Sequence, residues 1–477
     1  MKGMLGVFMI GSLLIGAGLY FNRNTAVNYA LTVCFIILLW TLGAYAYNHL
    51  DTAQLEFFKP DALSVLLLFS LCVLSLPVFY HAYRYVASRK DTPRMRGLFF
   101  ASLVWLISAI SMAYLSNHIA VTWIFVEITT LSASVLIYHH RNIRALEGVW
   151  KYVFICAISI TFLYIGILFL SLAIKPAELE AMTFDLLKEN SGSLDPFWLK
   201  LSFLFIFTGF TAKMGLVPMY TAGIDAKDKA PAPAGALFSS VLMNMGFVGV
   251  YRTYAIVAQT PVRDWASTLV LIVAVLSVFV ATVYMTHIKN IKRMFAYSSI
   301  EHMGIVMIGL AAGGAGIFAA ILHIVLHTFV KPSFFFQFSQ IYNLYQSKSI
   351  YDAGHYFKYN RVGAIVVLLA FVSSTAMPPS GLFVSEFLIF QSLFESGDIL
   401  VLILTLGLLT MIIWGFGSNI FKLLFTPSVA VNENKIPKIN PVESVSQFIL
   451  LGLAIYLAYF PPGAMVRLLQ NAASLIK

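Results

Sequence analysis

Residues 201–220 read LSFLFIFTGFTAKMGLVPMY, a run long enough for a membrane helix, with Lys213 inside it and no acidic residue within ten positions on either side. An isolated charge at membrane depth costs about 2.5–3.5 kcal/mol on insertion scales, so such a residue faces a partner or a wet cavity. Glu127 in TWIFVEITTL, Lys331 in HIVLHTFVKPSFFF and Glu386 in PPSGLFVSEFLIF repeat the pattern. A chain that buries both signs of charge in several spans is built to move an ion.

The rest of the sequence has the same character. Of 477 residues, 60% are hydrophobic and 11% charged, and helix-long apolar runs recur from end to end. The fold class expected is an all-α integral membrane protein with about fourteen transmembrane helices. The segments around Pro176 to Pro196 and Val429 to Pro441 read as loops. Cys34, Cys72 and Cys156 lie singly in apolar spans and read as packing residues. The first apolar run has no A-x-A cleavage pattern and reads as a membrane helix or uncleaved anchor.

The net charge of +10 is dispersed among short loops, which argues topology and against nucleic acid. Loops after odd-numbered spans hold nineteen of the 31 basic residues, among them Arg84, Arg89, Arg94, Lys227, Lys289, Lys348 and Lys438. Loops after even-numbered spans hold six, including Lys59 and Arg252. The positive-inside bias then puts odd loops in the cytoplasm and both termini on the outer face of the cytoplasmic membrane.

A repeat shows in the polar positions. Glu127 and Glu301 are 174 residues apart, and Lys213 and Glu386 are 173 apart. AKMGLVP and PPSGLFVSE each interrupt an apolar run with Pro and Gly beside a charge, the sequence mark of transporter sites built at broken helices. The organisation expected is 1–95 as N-terminal helices, 96–260 and 261–425 as two inverted five-helix repeats containing broken helices, and 426–477 as a C-terminal helix. No long amphipathic lateral helix is expected after the fourteenth span.

The block GFTAKMGLVPMYTAGIDAKDKAPAPAGALFSSVLMNMGFVGVYR resembles the antiporter-like membrane subunits of respiratory complex I, multisubunit sodium/proton antiporters and membrane-bound hydrogenases. IKRMFAYSSIEHMGIVMIGL, HIVLHTFVKPSFFF and MPPSGLFVSEFLIF resemble the blocks that follow, in order, so the likeness runs from about the fourth span to the thirteenth. The SSIEHMGI and VSEF runs and Asn244 look most like the hydrogenase-4 component F branch. The resemblance implies that Glu127 and Lys213 form a fifth-helix/seventh-helix pair, that Lys331 with His323 and His327 forms an eleventh-helix relay, and that Glu386 is the terminal proton-exchanging position. It implies partners too: membrane subunits of a complex I-like or hydrogenase complex and peripheral redox subunits. Tyr220, Ala222 and Ile224 depart from the family's H-x-W-x-P pattern, Lys227 stands where a loop histidine is frequent, and Asn244 replaces a common lysine.

Relay physics can be stated from the residues. A buried lysine's pKa falls through desolvation and rises when a carboxylate approaches, so changing the Glu127–Lys213 separation loads or releases a proton. His323, His327 and Lys331 at i, i+4 and i+8 share one helix face, about 6 Å apart per step, a distance that one or two waters bridge. Moving each charge across the membrane takes about 2.3 kcal/mol per 100 mV, so pumping needs an outside energy source.

Further candidates are Glu301 and His302, which read equally as relay groups or as caps of a helix end after Ser298 and Ser299; Lys151, which sits one turn into its span and reads as snorkelling to the interface; and Asn244, Asp225 and Lys227. No nucleophile constellation, phosphate loop or metal-ligand spacing occurs, so no catalytic residue, metal or cofactor is expected, and redox chemistry belongs to other subunits. Three functions remain open: redox-coupled proton or sodium translocation, secondary cation/proton antiport or inorganic-carbon uptake without a redox partner, and a non-conducting structural subunit of a membrane arm.

Overall fold

A computed structural model of the chain describes residues 3–174, 182–427 and 439–476. The helices run α1 (Met4–Phe21), α2 (Thr25–Asn48), α3 (Ala62–Ala87), α4 (Pro93–Leu115), α5 (Ile119–Ile137), α6 (Ile143–Ala173), α7 (Phe184–Glu189), α8 (Pro196–Met214), α9 (Thr221–Lys229), α10 (Ala232–Phe238) and α11 (Val241–Val257). They continue with α12 (Arg263–His287), α13 (Ile291–Ala312), α14 (Ala315–Tyr345), α15 (Tyr356–Tyr359), α16 (Arg361–Ser374), α17 (Gly381–Ser396), α18 (Ile399–Phe425), α19 (Val445–Tyr459) and α20 (Gly463–Ser474). Among the described residues there is no β-strand beyond isolated bridges. Thirteen helical stretches are long and apolar enough to cross a membrane, and α16 with α17 makes a further, interrupted one.

Helices are the expected outcome, because backbone groups in lipid must find partners within their own segment. Their ends carry local signals. Asp61, Thr92, Asn142, Asp195 and Asn290 each accept a backbone N–H at the start of α3, α4, α6, α8 and α13. Outer helices turn large apolar side chains outward, for example Trp150 and Phe154 on α6 and Ile403 and Trp414 on α18, while α11, α13 and α14 are buried along nearly their whole length.

The chain forms two compact units, one of Met1–Ala234, Val241–Leu269 and Ala464–Lys477, the other of Gly235–Ser240 and Val270–Gly463. In the first, α6 and α8 approach closely enough that a Cβ on Gly209 would meet the Ser159 carbonyl at 2.7 Å. Arg252 is a buried clasp there. It donates to Asp61 at 2.7 and 3.2 Å, to Ser64 Oγ and the Tyr114 carbonyl, and to the Ser116 carbonyl. The loop position expected for Arg252 is therefore corrected: it lies inside α11, where two of its nitrogens donate to one Asp61 oxygen, Oδ2, and the charge-assisted pairing compensates its burial.

Both expected helix breaks are present. α8 stops at Met214, Gly215 takes the left-handed conformation (φ 77°) that favours glycine, and α9 begins at Thr221. α16 stops at Ser374 and α17 begins at Gly381, across Pro378 and Pro379. A third break, at Ser239–Ser240 between α10 and α11, was not anticipated. Within the segment expected as a loop around Pro176 to Pro196, α7 is a short helix; residues 175–181 lie outside the described residues, as do most of Val429 to Pro441 and with them Lys438. The capping alternative for Glu301 and His302 is overturned, since Asn290 caps α13 and both residues are buried in its interior.

Candidate functional site

In the first unit, Lys213 lies one residue before the end of α8, which puts its side chain beside the break with 5% of the residue exposed. Its ammonium donates to Thr130 Oγ1 at 2.7 Å and to the Tyr152 hydroxyl at 3.3 Å, and lies 5.5 Å from the Tyr152 ring centre. The expected direct approach to Glu127 is thus replaced by a hydroxyl one turn further along α5. Glu127 sits three residues before Thr130, acts on the ammonium through space, and leaves its Oε2 without a hydrogen-bond partner. The Cys156 thiol, taken from sequence as packing material, meets the Tyr152 hydroxyl and completes the cluster.

The other candidates of this unit separate. Lys151 is exposed and pairs with Glu147 at 2.5 Å on the outer face of α6. Lys227 is buried on α9 with its Nζ 3.1 Å from Met243 Sδ, which corrects its expected place in a solvated loop. Beside it, buried Asp228 pairs with Lys229 at 2.9 Å, and Asp225 is half-buried. Asn244 is fully buried on α11 and hydrogen-bonds the Tyr114 hydroxyl.

The second unit gathers residues from three helices. His323, His327 and Lys331 form the expected stripe on α14, with the two imidazole centres 6.5 Å apart, and all three are fully buried. α13 brings His302, whose ring centre is 5.1 Å from that of His323 and 5.2 Å from that of His327. α17 brings Ser385 and Glu386. His302 Nδ1 lies 3.1 Å from His323 Nε2 and 3.5 Å from Glu386 Oε1, and His323 Nδ1 lies 3.0 Å from Ser385 Oγ. Since Ser385 donates its own hydrogen to the Leu382 carbonyl, the pattern assigns the His323 proton to Nδ1 and makes Nε2 the acceptor toward His302. Lys331 donates to Ser298 Oγ, three residues before Glu301, while Glu301 and Glu386 act on it through space.

Both lysines are therefore held by hydroxyls one helical turn from an acid, half-buried Glu127 for Lys213 and buried Glu301 for Lys331. Thr130, Tyr152, Ser298 and Ser385 were missed as site residues because single hydroxyls in apolar runs carry no spacing signal. The pairing of Lys213 with Glu386 as repeat mates also needs correction: Lys213 precedes its break, and Glu386 follows its own.

Comparison with known proteins agrees with this architecture. Residues 116–413 match the family described as NADH:quinone oxidoreductase/Mrp antiporter, TM. A hydrogenase-4 component F homolog of Methylacidiphilum infernorum is 27% identical, covering 88% of this chain and 89% of its own. Subunit N of the NADH-quinone oxidoreductase of Halorhodospira halophila is 24% identical, covering 88% and 86%. Among solved structures, a chain of an archaeal membrane-bound sulfane sulfur reductase superimposes with a TM-score of 0.85 at 17% identity, covering 99% of this chain and 96% of that one. A chain of the Mrp complex from a Dietzia species gives 0.82 at 14% identity, with 99% and 96% covered. These likenesses show the same fold. With its membrane-length helices and a family match over more than half its length, the chain belongs to the NADH:quinone oxidoreductase/Mrp antiporter transmembrane family and is a multi-pass membrane protein.

Proposed function

We propose that this chain is an ion-translocating subunit of a membrane arm, coupling a partner's redox reaction to proton movement through its buried lysine, histidine and glutamate groups. The observation that carries this reading is the cluster on α13, α14 and α17, where His302, His323, His327, Lys331, Glu301 and Glu386 are all buried together at the α17 break. Six ionisable groups assembled inside spanning helices are too costly to be kept for packing alone, and such groups mark ion pathways. Proton transport is favoured over sodium by chemistry. Imidazoles, hydroxyls and an ammonium pass hydrogens along hydrogen bonds, whereas a hard cation asks for a cage of oxygen ligands.

In this reading the driving energy comes from peripheral redox subunits. The hydrogenase-4 and NADH-quinone oxidoreductase names of its relatives indicate the class of partner. Basic loops after α3 and α14 face the cytoplasm in this reading, and both termini face outward. Replacing Lys331 with Met in the assembled complex tests the second cluster. Ion flux is expected to fall at least tenfold with redox turnover retained, and unchanged flux overturns the proposal.

A further inference from the structure

Three metal-ligating side chains meet in the second unit although the sequence holds them 21 and 63 positions apart, which hides any ligand spacing. His302, His323 and Glu386 each offer one ligand atom, and these atoms all lie within 4.8 Å of one another. His302 Nδ1 is the common corner, 3.1 Å from His323 Nε2 and 3.5 Å from Glu386 Oε1. A tetrahedral zinc ion about 2.0–2.2 Å from nitrogen and oxygen ligands sets them about 3.3–3.5 Å apart, so the His302–Glu386 edge already fits, the imidazole edge needs to open by about 0.2 Å, and a movement of the Glu386 carboxylate closes the third.

Two further observations make this a built site. Glu386 is 4% exposed, and its Oε1, the atom aimed at His302, has no hydrogen-bond partner. Ser385 fixes His323 through Nδ1 and leaves Nε2 as the lone-pair donor; metal-binding histidines are held in this way by an outer hydrogen bond on the opposite nitrogen. Glu301 lies within electrostatic reach of Glu386, so two acids face the charge of a dication, and Lys331 opposes it from α14.

We propose that His302, His323 and Glu386 bind a zinc-class divalent cation, with water or His327 completing the coordination. The nitrogen-rich donor set selects zinc-like ions over magnesium or calcium, which take oxygen ligands. Binding removes the proton on His302 Nδ1 and requires an ionised Glu386, so the metal occupies the atoms that a proton would otherwise hold. A filled site is thus expected to block ion flux, though the binding itself does not depend on the chain's transporting anything.

The experiment uses the full chain in its membrane assembly, stripped with a chelator and equilibrated with Zn²⁺ or with Mg²⁺ alone. Bound metal is counted per chain, and X-ray absorption at the zinc edge reports the ligands. One more zinc per wild-type chain than in the double variant His302→Gln/His323→Gln, with two imidazoles and an oxygen ligand in the spectrum, is the expected result. Equal zinc in both chains, zinc without paired imidazoles, or equal uptake of magnesium overturns the site. The wild-type spectrum decides the matter by itself if the double variant does not fold. Flux that continues while this zinc is bound contradicts the transport reading and leaves the metal site standing.

Discussion

Thr130 Oγ1 accepts from Lys213 while donating to the Val126 carbonyl at 3.2 Å, so one hydroxyl ties the lysine to the backbone of the helix that carries Glu127. A hydrogen bond to a buried charge contributes about 1.5–3 kcal/mol. Replacing Thr130 with Val keeps the shape and removes the acceptor, leaving only the longer bond to Tyr152. Thermal unfolding in detergent should shift downward and ion flux should fall several-fold; a variant neutral in both measurements would show that the hydroxyl is not the lysine's partner. Charged residues such as Lys213 and Lys331 were legible in the sequence because burying them is expensive and few roles justify that cost. Their hydroxyl partners were not, since Thr and Ser occur throughout membrane helices and bond their own backbone. Only the packing of α5, α6 and α8 distinguishes Thr130 from Thr129, which bonds the Val126 carbonyl alone.

At the scale of elements, α5 depends on an unusual cap. His118 Nδ1 accepts the Ala120 N–H at 3.2 Å, which requires a neutral ring. Partial burial holds its pKa below the ordinary 6.5. A depressed folded pKa means that the stabilisation is present above pH 6.5 and is lost as pH falls through the lower folded value. Wild-type protein should lose thermal stability between pH 7 and 5, and His118→Asn, an untitratable cap residue, should lose less; equal acid slopes would rule the cap out. The Gly215 and Pro378–Pro379 breaks were legible because glycine and proline disrupt helices for known steric reasons. The Ser239–Ser240 break was not, serine being compatible with a helix. α20 was overlooked despite a readable signal: its buried residues Met465, Leu468, Leu469, Ala472 and Ala473 follow i, i+3, i+4, i+7 and i+8. It packs in the first unit, where Ala472 accepts from the Tyr251 hydroxyl at 2.5 Å.

At the scale of the whole molecule, orientation rests on charge asymmetry, and moving Arg252 from the even side and Lys227 and Lys292 from the odd side to buried positions does not erase the bias. Single cysteines at exposed Lys90 and Glu56, introduced with Cys34 replaced by Ser, should react with an impermeant thiol reagent from opposite faces, Lys90→Cys from the cytoplasm and Glu56→Cys from outside. Labelling of both from one face, or the reverse assignment, would contradict the topology. Function at this scale requires that a charge held at the α8 break take part in moving ions across the bilayer. The most direct test replaces Lys213 with Ala in the assembled complex and measures ions moved per electron alongside the partner's redox turnover. The account predicts normal assembly with at least a tenfold fall in ions per electron; normal assembly with an unchanged ratio would contradict it and leave the chain a structural subunit.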